Sequence, residues 1–225
     1  MSRKQQKHSV TLKPQLIVFD WDGTLMDSTG RIVSCMQSAA IEVALPVPDA
    51  EAVKQIIGLN LHHAFELLFP GANEEQKSAL FQSYRVLYIE TDLTPTPMYP
   101  GAVDCLKYLQ SQQIQLAVAT GKARIGLERV MAEEPGVKGF FTDSICADEA
   151  KGKPDADMLL QLCKRMKVST EHTLMVGDTE FDLEMASRAN VAAIGISHGA
   201  HSAEQLLKWK PVSLIHHLSE LKVLI

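Results

Sequence analysis

Three short apolar runs, each closed by a polar residue, constrain this chain more than any other feature. QLIVFD at 15–20, IQLAVAT at 114–120 and TLMVGD at 173–178 are continuously apolar and rich in β-formers. A strand buried on both faces reads this way, whereas a half-exposed strand alternates. Helical patterns stand between them. Val103, Leu106 and Leu109 mark a helix after Gly101, and further helices are expected over about 123–133, 155–167 and 180–189. Two more strands are expected at 143–147 and, as VAAIGI, at 191–196. Such alternation predicts an α/β fold of three layers, a doubly wound parallel sheet between helices.

One stretch breaks the alternation. After a helix starting near Asp27-Ser28, with Ile32, Met36, Ala39 and Val43 on one face, Pro46 and Pro48 interrupt the chain. Asp49 is placed to cap a short helix that stops at Gly58. Leu61, Ala64, Phe65 and Leu68 mark a second helix, and Asn73 with Gln76 resembles a capping box for a third that turns Leu80, Tyr84, Leu87 and Tyr88 inward. TPTPMYPG then breaks the chain again. Residues 46–98 are therefore expected to form an all-helical insert in a domain made of 14–45 and 99–225. Residues 1–13 are polar and basic, and are expected to be a disordered tail rather than a signal peptide.

With 46% hydrophobic and 22% charged residues, a folded globular chain is expected. A formal net charge of -5 gives no case for binding nucleic acid, and no apolar run approaches the roughly 18–20 residues that span a bilayer. The four cysteines show no C-x-x-C spacing, so a zinc site is not expected. Free thiols and the lack of an export signal point to the cytoplasm. Nothing marks a protein partner.

In open α/β sheets, ligands bind outside the carboxyl ends of the strands. Asp20, Thr120 and Asp178 all end strands and can converge on one crevice. In Asp20-Trp21-Asp22-Gly23-Thr24 two carboxylates suit two tasks. One can attack as a nucleophile, while the other gives and takes a proton from a loop that Gly23 frees to move. Calcium loops also use such a pattern, but their remaining ligands are missing here. Asp178 and Asp182 are four apart and share a helix face. With Asp20 they make an acidic pocket that a hard cation such as Mg2+ would neutralise; alternatively Asp182 only caps its helix. Thr120-Gly121-Lys122 offers a hydroxyl and backbone N–H groups to a phosphate. Lys153 is expected just outside a helix begun by Pro154, where it could neutralise a phosphoryl oxygen.

In this order, Phe19-Asp20-Trp21-Asp22-Gly23-Thr24-Leu25, Ala119-Thr120-Gly121-Lys122, Lys153-Pro154 and Gly177-Asp178 through Asp182 resemble the four motifs of the haloacid dehalogenase superfamily. The likeness covers about 16–200 and is strongest to phosphoglycolate-phosphatase-like members. It implies a Rossmann-like core with a helical cap at 46–98, and a phosphatase acting on a small phosphorylated metabolite. Asp20 would be the nucleophile and Asp22 the acid and base. Mg2+ would lie on Asp20, Asp178, Asp182 and the Asp22 carbonyl, and the phosphate on Thr120, Gly121 and Lys153. Asp22 argues against dehalogenase and phosphonatase members. A phosphomutase or other phosphotransferase keeps that residue but usually has a histidine near the first helix, which 31–36 lack. A non-catalytic binding module is the remaining alternative. Asn190 stands where a glycine is common and Ala156 where a proline is frequent. Candidates for substrate choice are Asn60, His62, His63 and Arg85, with His198 and His201 at the edge.

Overall fold

A computed structural model describes residues 12–225; the expected tail at 1–13 lies almost wholly outside them. The strands are β1 (Leu16–Phe19), β2 (Gln115–Ala119), β3 (Asp143–Ile145), β4 (Thr173–Gly177), β5 (Ala192–Ile196) and β6 (Ser213–Ile215). They form one parallel sheet in the order β3-β2-β1-β4-β5-β6. Central β1 pairs with β2 on one side and β4 on the other, with Phe19 level with Val118 and Val176. The order reverses direction at β1, so the crevice beyond its carboxyl end is the expected ligand position.

Alternate side chains explain the unbroken apolar runs. Ile17, Phe19, Val118 and Val176 pack on one face under α5 (Ala102–Ser111) and α6 (Arg124–Glu133). Leu16, Val18, Ala119 and Met175 pack on the other under α7 (Asp157–Met166) and α8 (Glu180–Arg188). Full burial of each of the larger of these side chains stabilises the fold by roughly 1.5–3 kcal/mol. Two short helices near the end, α9 (Ala203–Leu207) and α10 (Leu221–Leu224), close opposite faces.

A third apolar cluster joins α1 (Thr29–Glu42) to α2 (Ala50–Lys54), α3 (Leu61–Leu68) and α4 (Glu74–Val86). Cys35, Met36, Phe65 and Leu80 are buried in it. Asp49 and Asn60 cap their helices, and Asn73 with Gln76 forms a complete capping box. Here the sequence expectation needs adjusting. Helix α2 ends at Lys54, because Ile56, Ile57 and Leu59 turn inward on a loop that reaches Gly58 at φ +97°. Helix α4 does not run on through Tyr88. It gives way to a π-helical turn, Leu87–Thr91, a local widening often found near functional sites. Strand β6, three residues long, is a further element that was not expected. Asn190 takes φ +53° just after α8, the left-handed cap that asparagine tolerates. The four thiols are buried and unpaired. Among the described residues no helix is long and apolar enough to cross a membrane.

Candidate active site

The loop after β1 carries two carboxylates into different surroundings. Asp20 is 1% exposed. Its Oδ1 accepts a hydrogen bond from Lys153 Nζ at 2.6 Å, and its Oδ2 has no partner among the described residues. Burial, then the charges of Asp182 and Asp178, push its carboxyl well above the usual range against the pull of Lys153. Asp22 faces the helical segment. Its Oδ1 accepts from Ser28 Oγ and lies 3.0 Å from Lys122 Nζ. Ser28 precedes α1 but makes no side-chain cap, since its hydroxyl is turned to Asp22. Between these carboxylates and Thr24 the loop needs glycine. Gly23 sits at φ +79°, and a Cβ there would lie 2.2 Å from Asp178 Oδ2.

Asp178 follows β4. Its Oδ1 accepts from Thr24 Oγ1 at 2.6 Å and its Oδ2 from the Ala200 N–H at 2.7 Å. Burial and the neighbouring Asp182 raise its carboxyl to about 7. Asp182 caps its helix, one of the two roles expected of it. Its Oδ2 accepts from the Thr179 N–H and hydroxyl in a capping box that opens α8. Its Oδ1 lies 2.7 Å from Lys153 Nζ, close enough for an ion pair but off the line of a hydrogen bond. Lys153 is itself buried; desolvation opposes its charge, but Asp182 and Asp20 outweigh it and hold its pKa above the ordinary lysine value. The Lys153–Pro154 peptide is cis, and α7 begins only at Asp157, so Pro154 does not start the helix as expected.

Asp20, Asp178 and Asp182 each offer an oxygen within 4.8 Å of the others. An orphaned carboxylate oxygen beside two further buried carboxylates, with one lysine to offset three charges, fits a hard divalent cation. Thr120 and Gly121 end β2 at the same edge. The Thr120 hydroxyl accepts from the Lys122 N–H at 3.2 Å. A Cβ on Gly121 would stand 2.6 Å from the Gly58 carbonyl, so the helical segment rests directly on this loop.

Sequence reading gives the side chains of Lys122, Ser28 and Tyr88 no role in the site. Lys122 Nζ donates to Tyr88 Oη at 2.9 Å as well as facing Asp22, so a tyrosine of the π-turn reaches the loop chemistry. Of the candidates for substrate choice, Asn60, His62 and Arg85 line a cavity beside Asp22, and His63 does not. His198 stacks on Tyr99 and its Nε2 lies 3.1 Å from the Thr24 carbonyl. His201 is buried, with Nδ1 accepting from the Glu180 N–H, so it supports the start of α8. Trp21 is fully buried in the core beside this loop.

Comparison with known proteins agrees in extent and kind. Residues 17–196 match the family model described as haloacid dehalogenase-like hydrolase. A protein of Dickeya dadantii named Probable phosphatase IndB is 35% identical over 213 residues, 93% of this chain and 92% of that one. Phosphoglycolate phosphatase 1 of Pseudomonas aeruginosa is 28% identical, over 94% of this chain and 79% of its own. A haloacid dehalogenase-like family hydrolase from Streptococcus pneumoniae superposes with a TM-score of 0.79 at 25% identity, over 95% of this chain and 98% of that one.

Proposed function

The chain belongs to the haloacid dehalogenase-like hydrolases and is a phosphoric monoester hydrolase among them, and from that premise we propose that it cleaves a small phosphomonoester through an aspartyl-phosphate on Asp20. The observation that carries this reading is the buried Asp20 carboxylate at the carboxyl end of the central strand, with one oxygen held by Lys153 and the other without a partner among the described residues. A carboxylate oxygen of Asp20 attacks phosphorus, and the bond to the leaving oxygen breaks. Asp22, protonated, gives its proton to the departing alkoxide. Asp22, now ionised, takes a proton from a water that attacks the acyl phosphate, which frees phosphate and restores Asp20. Lys153 offsets charge on Asp20 and on the transferred group, while Thr120 and the Gly121 N–H hold the phosphoryl oxygens. Asp20, Asp178, Asp182 and the Asp22 carbonyl would hold Mg2+, which supplies charge neutralisation and alignment when bound.

We also infer that residues 46–98 act as a cap on the core formed by 14–45 and 99–225, closing over the substrate to exclude water. Contact of Gly58 with Gly121 supports this. Turnover of para-nitrophenyl phosphate tests the central reading. Activity should vanish in excess chelator and return with Mg2+. Full activity after exhaustive metal removal would overturn it.

A further inference from the structure

The alcohol half of the substrate has its own place. A cavity of about 630 Å3 opens from Asp22, Gly121 and Lys122 into the space between the helical segment and the core. That volume suits a ligand of several rings' worth of surface, and a two-carbon acid would leave most of it to water. Its walls are mainly apolar, with Ile57, Leu59, Ile125, Phe81, Tyr84 and Tyr88 among them. Aromatic faces recur: His62 stacks on Phe81 at 5.4 Å and Tyr84 on Tyr88 at 5.8 Å. The cations on the lining are Lys122 and Arg85. Lys122 is engaged by Asp22 and Tyr88, and Arg85 is exposed to solvent. Among the described residues Arg85 is the one lining cation without a partner, and it lies out in solvent, so a carboxylate drawn into the apolar interior stays unpaired, and burying an unpaired charge is costly.

We propose that the substrate is a phosphomonoester of a bulky apolar or aromatic alcohol, not of a small carboxylic acid; this rests on the phosphatase reading above. The enzyme with Mg2+ is given 2-phenylethyl phosphate, ethyl phosphate and 2-phosphoglycolate, with para-nitrophenyl phosphate as the reference. The first two have leaving groups of similar basicity and differ chiefly in apolar surface. The expected result is a kcat/KM for the phenylethyl ester at least about tenfold above both others, the scale of one added apolar group in a matched pocket. Ile125→Glu changes an exposed residue of the wall, so the fold is not at risk, and it should shrink that preference. Equal rates, a preference for phosphoglycolate, or an unchanged preference in Ile125→Glu would overturn the substrate class while para-nitrophenyl phosphate is still cleaved. Absence of turnover on every ester would instead strike the phosphatase reading itself.

Discussion

Asp20 and Asp22 stand two positions apart, yet the fold gives them opposite surroundings. Lys153 keeps Asp20 paired inside the core, while Ser28 and Lys122 hold Asp22 toward the cavity. Their substitutions should therefore fail differently. Asp20→Asn should abolish turnover and leave no phosphoenzyme to trap. Asp22→Asn should slow alkyl phosphates by about 10²–10⁴-fold, the usual worth of general acid–base assistance. The loss should be smaller on para-nitrophenyl phosphate, whose leaving group departs without a proton. Rapid-quench measurement decides this. Labelled phosphoenzyme in Asp20→Asn, or an Asp22→Asn variant as fast as wild type on alkyl esters, would refute the division of roles. Both carboxylates were legible in the sequence because a buried strand ending in Asp-x-Asp-Gly is a local pattern. Ser28 was not, because it reads as an ordinary helix cap until its hydroxyl is seen to turn to Asp22.

At the scale of elements, the π-turn Leu87–Thr91 carries the helical segment onto the loop after β2. It ends α4 with the Tyr88 hydroxyl 2.9 Å from Lys122, whose other contact is Asp22. Lys122 thus ties the helical segment to Asp22, the carboxylate proposed to transfer the proton. Lys122→Met should lower kcat on alkyl phosphates by about tenfold or more, within the range that general acid–base assistance spans, and much less on para-nitrophenyl phosphate. An equal loss on both esters would show that Lys122 supports only the fold. The strand–helix alternation and the helical stretch at 46–98 could be read from periodicity and proline breaks. The π-turn could not, since Leu80, Tyr84, Leu87 and Tyr88 keep helical spacing whichever ring size the backbone closes. Strand β6 was not expected either, although it is no shorter than β3, which was.

For the whole molecule, the acidic cluster is a built-in cost that a bound cation would relieve. Burial and Asp182 raise the Asp178 carboxyl to about 7 from an ordinary value of 3.8, and burial raises Asp20 as well. Between those two values the metal-free folded chain keeps a proton that the unfolded chain has lost. The stability this contributes is therefore full below 3.8 and is lost as pH rises through about 7. Mg2+ held there would work in the other direction, because its ligands must be ionised, and it would stabilise the folded state by mass action. The rise in Tm on replacing chelator with Mg2+ should thus be larger at about pH 8 than at about pH 5.5. Taking the difference at each pH cancels groups that do not contact the cluster. Asp178→Asn removes one ligand and its titration together, so it should raise the metal-free Tm at the higher pH and diminish the Mg2+ gain at both. A Mg2+ gain that is flat with pH, or larger in acid, would mean that these carboxylates do not hold the ion.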